Sequence, residues 1–152
     1  MTLLLFEAGG ARYGLDIRQV IEVIPPVPMR PVAHAPAWLG GLILHRGALT
    51  PVVDASTLLC GTPASTRFSS RIVVAKYTND GSAERRVGLL VERATDTVNI
   101  DAAAQPTGVT IPDARYLGPM ARSGDALVQT VRVEEILPES VRAMLVDDDH
   151  GV

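Results

Sequence analysis

A single cysteine, Cys60, and only six aromatic side chains (two Phe, three Tyr, one Trp) serve a chain of 152 residues. One cysteine excludes an intrachain disulfide and any cysteine-based metal cluster. So few aromatics leave little for stacking on bases. Fourteen Lys and Arg against seventeen Asp and Glu, a net charge of −3, leave no basic excess for a general nucleic-acid binder. Long hydrophobic runs are missing too. Leu3–Phe6 is far too short for a membrane span or a signal segment, and no basic stretch precedes it, so a soluble cytoplasmic chain is expected. The three histidines, His34, His45 and His150, fall on a proline-rich loop, a hairpin tip and the tail, without metal-ligand spacing. They are expected as solvated loop residues. No nucleophile elbow, phosphate-cradling glycine loop or H-E-x-x-H is present. Cys60 has no basic neighbour to activate its thiol, so buried packing is expected of it. Strand and tip placement also keeps Cys60, His45 and Asp54 from forming a catalytic set. No enzyme, metal or cofactor is predicted.

What the chain does have is aliphatic material. Hydrophobic residues make up 47% of it, enough for a core of Val, Leu, Ile and Ala in strands packed as sandwiches or barrels. The organising stretch is Gly40–Asp54, in which the apolar runs Leu42–Leu44 and Leu49–Val53 flank His45-Arg46-Gly47-Ala48. This pattern reads as a β-hairpin, and the tight connection explains Gly47. It does not explain Arg46, a guanidinium with five donors at the tip of a turn.

Around the hairpin, Leu3–Phe6 and Arg12–Leu15 read as strands. Asp16 then caps a short helical turn with Gln19 reaching back, and Val20–Ile24 resumes strand character. Pro25, Pro26, Pro28 and Pro31 hold an extended connection. Ser56–Leu59 reads as one helical turn stopped by Gly61, and the small polar stretch Gly61–Ser70 as an internal boundary. Arg71–Tyr77 and Arg85–Glu92 pair around Asn79-Asp80-Gly81-Ser82, and Ala94–Ile100 is a further strand. Tyr116–Ala121 and Ala126–Val131 form another hairpin around Ser123-Gly124-Asp125. Pro138–Val146 reads as an amphipathic helix and residues 147–152 as an acidic tail.

The two halves, roughly 12–60 and 71–137, resemble each other. Arg12-Tyr13-Gly14-Leu15 matches Arg86-Val87-Gly88-Leu89, and at the same offset Val20, Glu22 and Ile24 meet Ala94, Asp96 and Val98. Trp38-Leu39-Gly40 meets Tyr116-Leu117-Gly118, and Leu58-Leu59 meets Ile136-Leu137. This pattern reads as a duplicated all-β unit, marginal alone and stabilised by its twin. Gly124 then reads as the counterpart of Gly47, serving turn geometry. The second turn has no Arg directly before its Gly, so the turn itself does not require Arg46. Without catalytic groups, such a domain is expected to be an interaction module working through hairpin tips and sheet edges.

Three stretches together resemble the CheW-like adaptor family of bacterial chemosensory pathways. They are Tyr13-Gly14-Leu15-Asp16-Ile17 with Val20, Glu22 and Val23; Pro36, Trp38, Leu39 and Gly41; and Arg46-Gly47 with Pro51-Val52-Val53-Asp54. Val87-Gly88-Leu89-Leu90-Val91 and Tyr116-Leu117-Gly118 continue the match, which runs from about Leu3 to Val146. The resemblance implies an all-β fold of two packed five-stranded SH3-like barrels with short helices and a C-terminal helix. It implies no catalysis and no cofactor. It implies two partners, the cytoplasmic tip of a methyl-accepting chemoreceptor and the regulatory domain of a CheA-type histidine kinase, with no nucleic acid and no direct membrane insertion. The chain would be cytoplasmic and recruited to membrane receptor arrays. Coupling falls on Arg46, and partner contacts on Val20, Glu22 and Gly41. Leu44 stands where the family often has Asn, and Ala55 where it usually has Leu. These departures imply as an alternative an adaptor of a surface-sensing pathway that controls a diguanylate cyclase. A small ligand-binding β-barrel is the competing class.

Overall fold

The computed structural model describes residues 1–63, 69–78, 84–100, 114–124 and 126–137. Among the described residues there are nine strands. They are β1 (Thr2–Ala8), β2 (Ala11–Asp16), β3 (Val20–Ile24), β4 (Leu39–His45), β5 (Ala48–Asp54), β6 (Ser70–Tyr77), β7 (Arg85–Asn99), β8 (Leu117–Ser123) and β9 (Ala126–Val131). One short helix, α1 (Ala55–Cys60), follows β5. It is capped at its start by the Asp54 carboxylate accepting from Thr57 N and closed by Gly61. Single turns of 3-10 helix lie at Ile17–Gln19 and Val133–Glu135. Asp16 accepts from Arg18 N as the cap of the first. Gln19 does not reach back to complete a capping box; its amide donates to Glu134, 115 residues away. The proposed turn at 79–82, the helix at 138–146, the tail with His150, and Asp125 lie outside the described residues.

Strand pairing sorts the chain into two five-stranded barrels that are not its two sequence halves. The first barrel runs β3–β6–β7–β5–β4, with β5 parallel to the start of β7. The second runs from the far end of β7 through β1, β2 and β9 to β8, with β2 parallel to β9. Arg85–Glu92 and Ala94–Ile100 are therefore one strand rather than two. It bends at Arg93, whose φ of 53° falls where the register with β1 shifts. Each barrel has a small core of its own: Ile43, Val52, Ile72 and Val74 in the first, and Leu3, Ile100, Ala121 and Val128 in the second. A larger cluster that includes Leu4, Phe6, Leu15, Val53, Val73 and Leu89 joins them. Burial of these aliphatic side chains, at about 25 cal/mol per Å² of apolar surface, is what holds the barrels together.

The barrels match row by row. Across the first, Glu22 pairs with Val74, Val74 with Gly88, and Gly88 with Val52. Across the second, Asp96 pairs with Leu5, Leu5 with Gly14, and Gly14 with Thr130. Each row reads acid, aliphatic, glycine, then a β-branched residue. The glycines sit where neighbouring side chains leave little room. A Cβ on Gly88 would stand 3.0 Å from Ile72 Cγ2 and 3.1 Å from Val52 Cγ2, and one on Gly14 would stand 2.8 Å from Leu3 Cδ1.

The register also corrects the alignment of the two turns. His45 pairs with Ala48, so Arg46 and Gly47 form the first turn, with φ of 51° and 79°. Two consecutive positive φ values make the hairpin of the I′ kind, whose strand twist suits a two-residue connection. Ser123 pairs with Ala126, so Gly124, at φ 61°, is the first of the two residues between them. Gly124 therefore stands at the place of Arg46, not of Gly47.

Candidate functional site: the Arg46 hairpin tip

Arg46 occupies a position that its own backbone disfavours. A left-handed conformation costs a side-chain-bearing residue roughly 1–2 kcal/mol, and the matching turn uses glycine there. The side chain is 66% exposed, and its Nη2 lies 3.2 Å from Glu22 Oε2. Glu22 comes from β3, which shares no ladder with β4. The same Glu22 oxygen is 2.7 Å from His45 Nε2. Beyond the ring, Arg86 Nη1 on β7 donates to His45 Nδ1 at 3.2 Å and to the His45 carbonyl at 3.2 Å. Arginine can only donate, so Nδ1 must present its lone pair and Nε2–H donates to Glu22. The hydrogen bond from His45, then the charge of Arg46, hold the Glu22 carboxyl below its usual range.

His45 is thus 6% exposed rather than a solvated tip residue. Along β4, Leu39, Gly41, Ile43 and His45 face inward, while Gly40 and Leu44 are exposed. Carrying that alternation two residues past Ile43 would have placed the imidazole inside. On the outer face, Leu44 is 74% exposed beside its cross-strand partner Leu49, also exposed, so apolar surface flanks Arg46.

The other anticipated contact residues are placed differently. Val20 is half-buried and packs on the large shared cluster. Gly41 is buried at a register shift in β4, with φ 148°. A Cβ there would meet Arg30 O at 2.6 Å, where residue 30 bridges Leu42 by two backbone hydrogen bonds. Gly41 serves the seating of the proline-rich loop on β4. Cys60 is exposed at the end of α1, not buried, with its sulfur 3.6 Å from Ala8 O in room left by the missing side chain of Gly9. It is separate from Asp54, which caps α1, and from His45 in the polar cluster. On the second barrel, Tyr13, Leu59, Tyr116, Leu117, Met120 and Leu127 line an open groove of about 430 Å³. Burial raises the phenol pKa of both tyrosines. Among the described residues no group of three or more His, Cys, Asp or Glu could hold a metal, and no helix is long and apolar enough to cross a membrane.

Two barrels share a core and present a constrained arginine at a hairpin tip, an all-β architecture. The CheW-like domain model matches residues 2–141, and the chain belongs to that family. It is 35% identical over 106 residues to the chemotaxis protein CheW of Rhizobium meliloti (strain 1021), spanning 69% of this chain. It is 23% identical over 146 residues to chemotaxis protein CheW of Klebsiella aerogenes, 93% of this chain and 84% of that one. The match spans 65% of the Rhizobium relative, just under two thirds of its length. A crystal structure of the scaffolding protein TtCheW from Thermoanaerobacter tengcongensis superposes with a TM-score of 0.74 at 24% identity. That likeness covers 87% of this chain and 84% of the other, and it shows the fold.

Proposed function

We propose that the protein is a non-catalytic adaptor that couples methyl-accepting chemoreceptors to a CheA-type histidine kinase. It binds a receptor's helical tip and the kinase's regulatory domain at the same time, in the cytoplasm, at receptor arrays. Receptor state then shifts the kinase's active population through that bridge. Membership of the CheW-like family supports the reading. The observation that carries it is Arg46, an exposed guanidinium kept at a left-handed turn position that its twin fills with glycine. Strain retained at an exposed charge is accounted for by a partner that needs the charge. We further take residues 12–60 and 71–137 as copies of one unit, a reading that the matching rows support. Arg46, with Glu22 beside it, is the contact; Val20 and Gly41 support it from within.

The test is capture of partners from the native cell lysate by the tagged full chain, wild type beside Arg46→Glu. Recovery of a chemoreceptor and a CheA-type kinase, one of them diminished by the charge reversal, is the expected result. Recovery of neither by a well-folded protein would overturn it.

A further inference from the structure

We propose that His45 and Arg86 are positioning residues that clamp Glu22 and, through it, hold the Arg46 side chain in one orientation. The inference rests on Arg46 being the contact surface, and it assigns a task to two residues that such a surface does not itself require. Both imidazole nitrogens are engaged, one by Glu22 Oε2 at 2.7 Å and the other by Arg86 Nη1 at 3.2 Å. Arg86 also holds the His45 carbonyl, fixing the main chain immediately before Arg46. The chain of donors has one direction. Arg86 donates to Nδ1, Nε2–H donates to the carboxylate, and the same carboxylate oxygen faces Arg46 Nη2 at 3.2 Å. Such a relay orders an arginine that is otherwise two-thirds exposed, so less rotamer freedom is lost when a partner docks.

Other employment for a buried histidine finds no support. Among the described residues no set of ligands surrounds it, and no nucleophile faces its ring. Among the described residues the device is seen at the hairpin that carries the arginine. Ser123 and Gly124 stand at the corresponding positions of the other turn.

The experiment follows the Arg46 guanidinium by NMR of its Nε–Hε group in the full chain, for wild type, His45→Leu, Arg86→Met and His45→Gln. Ordered signal in the wild type, motional averaging in His45→Leu and Arg86→Met, and recovery in His45→Gln are expected. A glutamine amide can donate to Glu22 while its oxygen accepts from Arg86, which gives that variant a rescue that packing alone would not. In parallel, affinity for a recombinant regulatory domain of a CheA-type kinase and for a receptor-tip fragment should fall about two- to tenfold for at least one probe in the two averaging variants. Arg46 as ordered in His45→Leu as in wild type would overturn the proposal. If His45→Leu does not fold, Arg86→Met decides by the same criterion. A wild type that binds neither probe, while the order of Arg46 still depends on His45, would remove the adaptor reading and leave the clamp standing.

Discussion

The β4–β5 and β8–β9 hairpins hold equivalent places in the two barrels, and their first turn residues are Arg46 and Gly124. Both have positive φ, 51° and 61°. The first hairpin places a buried histidine before the turn and a carboxylate from another strand against it. The acid is conserved in placement between the barrels, since Glu22 and Asp96 pair with equivalent residues of β6 and β1. What differs is its employment. Asp96 is exposed and lines a small polar pocket with Arg12, Arg71 and Arg93, while Glu22 is bound into the His45–Arg46 cluster. The same scaffold therefore carries one turn with glycine at its first position and one with an arginine there. The arginine costs stability that a glycine would have kept.

That comparison can be broken at the rows or at the turns. The largest effect is expected at the row glycines. Gly88→Val and Gly14→Val should each lose about 3 kcal/mol in urea denaturation, because the added carbons meet packed aliphatic side chains on both flanks. Tolerance at one glycine and not the other would mean that the rows are not equivalent. Next comes the glycine turn. Gly124→Arg should cost about 1 kcal/mol, because it imports the left-handed strain without a Glu22–His45 cluster to receive the guanidinium. A neutral outcome would remove strain from the account of Arg46.

The smallest effect concerns Glu22, whose side chain is 36% exposed and whose carboxyl titrates below its ordinary value because His45 and Arg46 favour its charged form. A depressed folded pKa adds stability above the unfolded carboxylate pKa, and that increment disappears as pH falls through the folded value. The stability gap between wild type and Glu22→Gln should therefore be present at neutral pH and close on acidification. A gap that widened toward low pH would contradict the arrangement.

Much of this was legible from the chain. The hairpin at Gly40–Asp54, the helical turn after it stopped by Gly61 and the match between Arg12–Leu15 and Arg86–Leu89 follow from short-range pattern. The swapped partners were not legible. Pairing of β2 with β9 and of β5 with β7 is parallel and joins strands distant in the chain (Gly14 with Thr130, Val52 with Gly88), where turn chemistry gives no signal. Aligning the turns on glycine identity set Gly124 against Gly47, whereas the strand register sets it against Arg46. His45 was misplaced because proximity to a turn outweighed the two-residue period of β4. Gly41 read as surface because the carbonyl that forbids a side chain there comes from residue 30, on a loop whose course the prolines do not specify.

Arg46→Gly tests the central claim most directly, with stability and partner capture measured on the same preparation. Relief of the left-handed strain outweighs both glycine's entropy and an exposed ion pair, so the variant should be at least as stable as wild type, by about 0.5 kcal/mol. It should also lose capture of the chemoreceptor or the kinase. A variant that is less stable and still captures both would make Arg46 a structural residue, and the hairpin tip would no longer be the site.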